Sequence, residues 1–265
     1  MKGMNVVVTG GGTVAPIDDV RQIANVSTGR FSAMITEACL RRGATVWHIH
    51  TPSALLPFVR SAGYDLATTD PVAEQARLGR LHREWQGVRD RLHLVPLQRG
   101  TVADYAENLE RTLKSRPIDV AFLAMAVSDF EPEAFNGKLD SEVETLVIRG
   151  RRTPKVIRSV RDWSPGVYLV GFTLLPRAGA AELIRQAAAA CRINRADLTV
   201  ANDLQTVRAG THTIHLVRPG QATETFGPDD EPAEQLVART FAWAAPRVSA
   251  AAETRVPVKG NPSPG

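Results

Sequence analysis

The chain has few cysteines and no long apolar run, and each absence argues against a class of protein. Only two cysteines, Cys39 and Cys191, occur among 265 residues. Both fall in apolar helical patterns, which favours buried, reduced thiols in a cytosolic protein over a disulfide framework. No apolar run approaches the roughly 20 residues that span a bilayer, so no membrane segment is expected. Residues 1–4 lead straight into a strand pattern, and no signal peptide is expected.

The charge is mild. The formal net charge is +4 and the isoelectric point is about 9.4. No basic stripe with interleaved aromatic residues accompanies it, so a nucleic-acid partner is not expected. An anionic small molecule suits this balance of charge better. No cysteine pair with metal-ligand spacing occurs either, and no protein-held metal is predicted.

The most informative segment opens the chain. Val6–Val8 reads as a buried strand, the turn Gly10-Gly11-Gly12-Thr13 follows, and Ser27-Thr28-Gly29 leads into a helical pattern. A strand that ends in a glycine-rich turn before a helix can hold phosphate, because free backbone N–H groups point toward the anion. The turn has neither the G-x-G-x-x-G nor the G-x-x-x-x-G-K-[ST] spacing. Alone it therefore leaves a ligand role and a simple tight turn equally open.

Strand and helix patterns alternate along the rest of the chain. Strands are predicted at Val6–Val8, Thr45–Ile49, Leu92–Pro96, Ile118–Ala126, Glu144–Ile148, Val167–Phe172 and Leu198–Ala201, with an antiparallel pair at His212–Val217 and Ala222–Phe226. Helices are predicted at Gly29–Arg42, Glu74–Arg91, Val102–Leu113, Pro154–Trp163, Leu183–Cys191 and Glu231–Ala244. This alternation predicts an α/β fold: a three-layer, Rossmann-like, mostly parallel sheet with a mixed, antiparallel edge.

The predicted organisation is one domain over residues 1–245. A subregion at about 57–91, with scattered prolines and a polar helix, is interpreted as an insertion. Residues 246–265 are small, polar and proline-bearing, and they are predicted to be a disordered tail.

Polar side chains follow several predicted strands. Ligands of open parallel sheets bind outside the carboxyl ends of the strands, so these side chains are expected to meet at one edge. The neutral amide of Asn25 suits a developing oxyanion, and the guanidinium of Arg21 suits a carboxylate or phosphate. The remaining candidates are Asp129, the loop lysine Lys138, Gly171 with Phe172, and Asn202 with Asp203.

The opening segment TGGGTVAPIDDVRQIANVSTGR resembles the signature of the phosphopantothenate–cysteine ligase family, also called phosphopantothenoylcysteine synthetase. That family has a GGT loop, then P-x-D-x-V-R, then N-x-S-[ST]-G. The segments AMAVSDF, GKL, YLVGF and ADLTVAND are similar to its later motifs and fall in its order. The resemblance spans about residues 4–217.

The resemblance implies a reaction. The carboxylate of phosphopantothenate attacks the α-phosphate of CTP or ATP, pyrophosphate leaves, and the cysteine amine then attacks the acyl-nucleotide. Mg²⁺ would bridge the phosphates and be held mainly by them and by water. The family forms dimers, so a cytoplasmic homodimer is expected, and CTP is slightly favoured over ATP.

The resemblance also assigns residues. Catalytic roles fall on Asn25, Lys138 and Arg21, and substrate-binding roles on Asn25 and the helix start Ser27, Thr28 and Gly29. The nucleotide would be bound by Gly11, Gly12, Thr13, Ala126, Asp129, Lys138, Gly171, Phe172, Asn202 and Asp203.

Two alternatives stay open at this stage. The family's lysine loop has a K-x-K-K run, whereas this chain continues Lys138-Leu139-Asp140-Ser141 with one lysine. A divergent, non-catalytic nucleotide- or flavin-binding member of the same fold is therefore one alternative. An NAD(P)-dependent short-chain reductase is the other, although Tyr64, Tyr105 and Tyr168 all lack the Tyr-x-x-x-Lys partner of that class.

Overall fold

A computed structural model of the chain describes residues 3–254, except residues 134, 136, 140, 141, 143, 177 and 210. The strands are β1 (Asn5–Gly10), β2 (Val14–Pro16), β3 (Gln22–Ala24), β4 (Thr45–His50), β5 (Leu92–Pro96), β6 (Val120–Leu123), β7 (Phe130–Pro132), β8 (Gly150–Arg152), β9 (Tyr168–Leu175), β10 (Leu198–Asp203), β11 (Ile214–Val217) and β12 (Glu224–Phe226). The helices are α1 (Arg30–Arg41), α2 (Pro71–Val88), α3 (Val102–Ser115), α4 (Val156–Trp163), α5 (Ala180–Asn194), α6 (Leu204–Arg208) and α7 (Pro232–Thr254).

Eight strands form the central sheet, in the order β12-β11-β10-β9-β6-β1-β4-β5. The six strands from β10 to β5 are parallel, and β11 and β12 add an antiparallel edge. The chain runs outward from β1 to β4 on one side and to β6 on the other. The order therefore reverses between β1 and β6, and ligands of such sheets bind at this point.

Helices cover both faces of the sheet. Helices α1 and α7 pack on the face that carries Val6, Val8 and Val170, whereas α3 and α4 pack on the face that carries Val7 and Leu169. Helix α5 covers β10 and β11 on the second of these faces, through Leu183 and Ala187. Because both faces are buried, β1 is apolar on both sides, as its run of three valines indicates. The predicted three-layer α/β fold with a mixed edge is confirmed.

Two short antiparallel ribbons lie outside the central sheet. One pairs β2 with β3 directly after the glycine turn, and the other pairs β7 with β8 after β6. The predicted strand at Glu144–Ile148 is wrong, because the strand of this region is β8 at Gly150–Arg152. Leu146, Val147 and Ile148 are exposed, so no packing holds them in a sheet.

The last helix is longer than predicted. It continues past Ala244 to Thr254 and includes Pro246. A proline inside a helix removes one backbone hydrogen bond, and packing can compensate for that loss. Here Val248 packs against the core, and Arg247 pairs with Asp197 at 2.7 Å. The beginning of the predicted tail at 246–254 is therefore helical, and residues 255–265 lie outside the described residues.

Candidate active site

The glycine turn after β1 is closed against its own chain. Gly11 has φ +92°, and a side chain there would place Cβ 2.0 Å from Thr51 Oγ1. A Cβ on Gly12 would lie 2.0 Å from the backbone oxygen of Asn25. Both glycines therefore let the turn approach the end of β4 and the segment that leads into α1. This close approach fixes where Asn25 lies relative to the turn.

Hydrogen bonds tie the glycine turn to the loop after β6. The N–H of Ala126 donates to Gly11 O at 2.9 Å, and the N–H of Thr13 donates to Ala126 O at 2.9 Å. The buried Thr13 hydroxyl accepts from the N–H of Ser128 at 2.9 Å. The sequence assigned Thr13 to the nucleotide, but its hydroxyl lies inside this junction. It holds together the loops that follow two neighbouring parallel strands.

Asn25 and the start of α1 lie beside this junction. The N–H of Asn25 donates to Thr13 O at 3.0 Å, and its own oxygen accepts from Ser27 N at 3.0 Å. The half-buried Asn25 side chain makes no hydrogen bond to any residue that the structure describes. Gly29 takes the N-cap position of α1 with φ +73° and provides no side-chain cap. The N–H of Arg30 donates to Thr28 Oγ1 at 3.3 Å, and the N–H groups that follow it in the first turn of α1 are left for an anion or for solvent.

The loop with Lys138 is held by the tip of the β2–β3 ribbon. The Asp18 carboxylate binds Arg21 Nη1 at 2.6 Å and accepts from the N–H of Leu139 at 3.0 Å. Arg21 Nη1 also donates to Leu139 O at 3.3 Å. Two more backbone bonds, Asp19 N to Gly137 O and Phe135 N to Ile17 O, complete the contact. Lys138 itself is exposed.

Hydrogen bonds determine the ionisation of the buried Asp18 carboxylate. Burial alone would raise the pKa of Asp18, but hydrogen bonds from the backbone of Leu139, Val20 and Arg21 outweigh that effect. Together with the Arg21 side chain they lower the pKa of Asp18 to about 2. Asp18 is therefore ionised throughout the physiological range. Sequence reasoning gave it no role, although an acidic residue three positions before Arg21 was a signal for this pair.

A cavity of about 390 Å³ opens beside the ends of β6 and β9. Asp129 and Phe172, two of the predicted nucleotide residues, both line it. So does Lys155, whose ammonium pairs with the Asp129 carboxylate. The sequence did not single out Lys155; the signal was its place after Pro154 at the start of a predicted helix. Gly171 lies on the opposite face from the Phe172 ring, and a Cβ there would lie 3.0 Å from the Ile157 side chain.

The ends of β10 and β11 carry a further polar group. Asp203 caps α6 by accepting from Gln205 N at 2.8 Å, so its carboxylate has a structural partner. Asn202 is buried, and its side-chain oxygen has no hydrogen-bond partner in the described part of the chain. The ring of Phe31 lies 6.3 Å from that of Phe172 and 4.4 Å from that of His212. Sequence reasoning missed His212, which precedes the first antiparallel strand by two residues.

The predicted ligands fall into two groups that lie close together. Asp129 and Phe172 share the cavity, and Asn25, Thr13 and Ala126 share the junction at the glycine turn. The described residues contain no group of three or more His, Cys, Asp or Glu side chains that could hold a metal ion. No helix among them is both long and apolar enough to cross a membrane. The assigned ligand roles of all these residues stay predictions.

A known protein family matches most of the chain. The family described as "DNA/pantothenate metabolism flavoprotein C-terminal domain" matches residues 1–77 and 95–242. The chain belongs to this family. The resemblance stated from the sequence motifs is thereby confirmed. The unmatched residues 78–94 lie in the second half of α2 and the beginning of β5, inside and just beyond the insertion predicted at 57–91.

Named relatives agree with the family. The chain is 32% identical over 222 residues to the coenzyme A biosynthesis bifunctional protein CoaBC of Thermococcus kodakarensis, and the match covers 82% of this chain and 45% of that protein. It is 26% identical over 255 residues to phosphopantothenate–cysteine ligase 2 of Oryza sativa subsp. japonica, and this match covers 88% of the chain and 77% of the rice protein. The chain thus spans about half the length of the archaeal relative.

A solved structure has the same fold. A mutant of Cab2, in complex with phosphopantothenate-cysteine, matches with a TM-score of 0.78 at 22% identity, over 94% of this chain and 88% of that one. The likeness establishes the fold that carries the site.

Proposed function

We propose that this chain is a ligase that joins phosphopantothenate to cysteine at the expense of a nucleoside triphosphate, as a step of coenzyme A biosynthesis. The observation that carries the proposal is the family match over both halves of the chain, which includes the glycine turn, Asn25 and Asp129. The ligase relative from rice aligns with 88% of this chain. The site lies where the strand order reverses, the usual ligand position of such sheets.

The proposed first step forms an acyl-nucleotide. The substrate carboxylate attacks the α-phosphorus, a P–O bond forms, and pyrophosphate leaves with the electron pair of the broken bond. Catalysis of this step needs alignment and charge neutralisation more than an enzyme nucleophile. The N–H groups of the glycine turn and of α1, with the Lys138 ammonium, are the cationic and donor groups for it. Arg21, held on Asp18, positions the Lys138 loop.

The proposed second step forms the amide. The cysteine amine attacks the acyl carbon, a C–N bond forms, and the nucleoside monophosphate leaves. Charge develops on the acyl oxygen in the transition state, and a neutral side-chain amide can donate a hydrogen bond to it. Asn25 suits this role, because its side chain is half-buried next to the glycine turn and has no partner among the described residues.

Mg²⁺ is proposed to accompany the nucleotide and to be held by phosphate oxygens and water. No side chain is assigned to the ion, because the described residues offer no cluster of three ligands. CTP is proposed as the first choice of nucleotide and ATP as the second. A homodimer and a cytoplasmic location complete the proposal, and light scattering on the purified protein tests the former.

The decisive test is pyrophosphate release from the purified protein. It is given phosphopantothenate, cysteine and Mg²⁺ with CTP, ATP, GTP or UTP in turn, and omission of phosphopantothenate is the control. Release with CTP or ATP that depends on phosphopantothenate is expected. No pyrophosphate release with any of the four nucleotides would overturn the ligase proposal. Nucleotide-dependent thermal stabilisation without release would instead favour the non-catalytic member of the fold.

A further inference from the structure

Three neighbouring strands end with side chains on the same face of the sheet. Val170 of β9, Val200 of β10 and Ile214 of β11 all point into the core under α1 and α7. Side chains two residues apart on a strand share a face. Phe172 and Asn202 therefore follow on that face at the carboxyl ends of their strands. His212, two residues before β11, lies at the same edge, because β11 is antiparallel and begins there. Its ring contacts Phe31, which also contacts Phe172.

This group has hydrogen-bonding capacity that the described residues do not use. Asn202 is 8% exposed, and its Oδ1 has no partner among the described residues. The same is true of the buried His212 Nε2. Buried polar atoms are nearly always paired in folded proteins, so two such atoms at the edge of one sheet point to a missing ligand group.

Aromatic contacts hold the His212 ring in place. The Phe31 ring meets it edge-on, with centroids 4.4 Å apart and planes at 67°. Phe31 also contacts Phe172 edge-on at 6.3 Å. Burial lowers the pKa of His212, so the imidazole is neutral at pH 7 and keeps one unprotonated nitrogen. The ring is thus a fixed hydrogen-bonding group next to Phe172, which the family resemblance places at the nucleotide.

The width of the sheet indicates which part of a nucleotide reaches this group. Adjacent strands lie about 4.8 Å apart, so β9 is roughly 10 Å and β10 roughly 14 Å from β1. Phosphates at the glycine turn after β1 would place the sugar and base toward β9 and β10. The phosphates themselves would not extend that far in the direction of β10.

The family resemblance already assigns Asn202 to the nucleotide. We propose that His212 binds the nucleoside part beside it, that both side chains accept hydrogen bonds from the donor groups of the nucleoside, and that His212 is thereby a specificity-determining residue. The donors are the ribose hydroxyls or the exocyclic amino group of cytosine or adenine. The inference rests on the proposed function for the presence of a nucleotide. A site built to bind such a donor rejects an analogue that lacks it, because the buried acceptors are then left unpaired.

The test is a set of dissociation constants measured by calorimetry without the other substrates. The ligands are CTP, 2′-deoxy-CTP and UTP, and the matching set ATP, 2′-deoxy-ATP and GTP. The unmodified protein is expected to bind the preferred nucleotide at least about tenfold more tightly than one of its two analogues. His212→Phe keeps the ring against Phe31 and removes the nitrogens. It is expected to bring that ratio close to one, and Asn202→Ala is expected to do the same.

His215→Phe is the matched control. His215 lies on β11, three residues after His212 and on the opposite face of the sheet, where its Nδ1 bonds Thr225 Oγ1 at 2.8 Å. This variant should keep the ratio of the unmodified protein. Thermal unfolding followed by circular dichroism verifies that each variant is folded. If His212→Phe or Asn202→Ala unfolds at a clearly lower temperature than the unmodified protein, the binding data of the other variant test the inference.

The outcomes separate this inference from the ligase proposal. Ratios that stay unchanged in a folded His212→Phe or Asn202→Ala variant would overturn the inference, even if pyrophosphate is released. Absence of discrimination in the unmodified protein would overturn it too. If the variants lose the preference for the ribonucleotide over the 2′-deoxynucleotide, the contact is to the ribose. If they lose the preference for CTP over UTP or for ATP over GTP, the contact is to the base. If the dissociation constants follow the expected pattern but no pyrophosphate is released, the inference is supported and the ligase proposal is overturned.

Discussion

The carboxylate of Asp18 accepts a hydrogen bond at 3.0 Å from the backbone N–H of Leu139, 121 residues away in the chain and directly after Lys138. The same carboxylate binds Arg21 at 2.6 Å. Arg21 therefore acts on the Lys138 loop through Asp18 and through Leu139 O. The sequence predicted that Arg21 would contact an anionic substrate. In the structure, one of its terminal nitrogens is committed to the chain's own carboxylate.

Replacement of Asp18 should loosen the Lys138 loop. In the unmodified protein Oδ1 of Asp18 accepts from the N–H groups of Val20 and Arg21, and Oδ2 accepts from Arg21 Nη1 and the N–H of Leu139. Asp18→Asn removes the charge and replaces one of these two acceptor oxygens by an NH2 donor. We expect KM for the nucleotide in the pyrophosphate assay to rise by about tenfold, because charge-assisted hydrogen bonds are the stronger ones. Cleavage by trypsin after Lys138 should also become faster. Asp19→Asn is the control, since Asp19 is exposed and neighbours the same turn; an equal effect in both variants would contradict the role of Asp18.

The Asp18 contact should also give a pH-dependent contribution to stability. The pKa of Asp18 falls from 3.8 to about 2 on folding. A carboxylate with a lowered pKa stabilises the folded state above its unfolded pKa, and the contribution is lost as pH falls through the folded value. The difference in free energy of unfolding between the unmodified protein and Asp18→Asn should be constant from pH 7 to about pH 4.5 and shrink below about pH 4. Urea titrations at each pH measure it, and a difference that instead grows toward acid would reject the assignment.

A side chain at Gly12 should displace Asn25. The Cβ of Gly12→Ala would lie 2.0 Å from Asn25 O, which is backbone and cannot rotate away. We expect a loss of about 1–3 kcal/mol in the free energy of unfolding, as for other overpacked sites, together with loss of most activity. Gly87→Ala is the control, because its Cβ meets nothing within 4 Å in α2. It should stabilise the protein by about 0.5–1 kcal/mol and leave activity unchanged. Normal turnover by Gly12→Ala would show that the close approach does not position Asn25.

The inner part of the central sheet could be predicted from sequence because its strands are buried on both faces. Val6–Val8 and Val167–Phe172 are apolar runs that parallel topology requires. The two ribbons could not be predicted, because β2, β3, β7 and β8 have three residues each. Three residues are too few to show the alternation of apolar and polar residues that predicts a strand. The pairing of β7 with β8 joins residues about 20 positions apart, while the more apolar stretch 144–148 stays outside any sheet.

Sequence predicted the residues of the candidate site that belong to a motif. It did not predict the residues that only tertiary contacts bring to the site. The glycine turn and Asn25 stand in one short motif, so their proximity follows from the local chain. Lys155 reaches the site at the start of α4 and His212 just before the antiparallel edge. Their positions depend on tertiary contacts, and the local signal was limited to the place of Lys155 after Pro154. The hydroxyl of Thr13 stands in the motif as well. Its role in joining two loops became visible only in the structure, where it accepts a hydrogen bond from the N–H of Ser128, 115 residues away.

Asn25 offers the most direct test of the proposed chemistry. Asn25→Asp keeps the size of the side chain but replaces a hydrogen-bond donor by a negative charge. The acyl oxygen becomes negative when the amine attacks, so the second step should slow more than the first. The acyl-nucleotide should then accumulate, with total turnover reduced by roughly 100-fold or more. Rapid quenching followed by chromatography measures the intermediate. Gln22→Glu adds the same charge on exposed β3 and should leave turnover nearly unchanged. Turnover of Asn25→Asp equal to that of the unmodified protein would remove Asn25 from the mechanism, whereas slow turnover without the intermediate would place Asn25 in the first step.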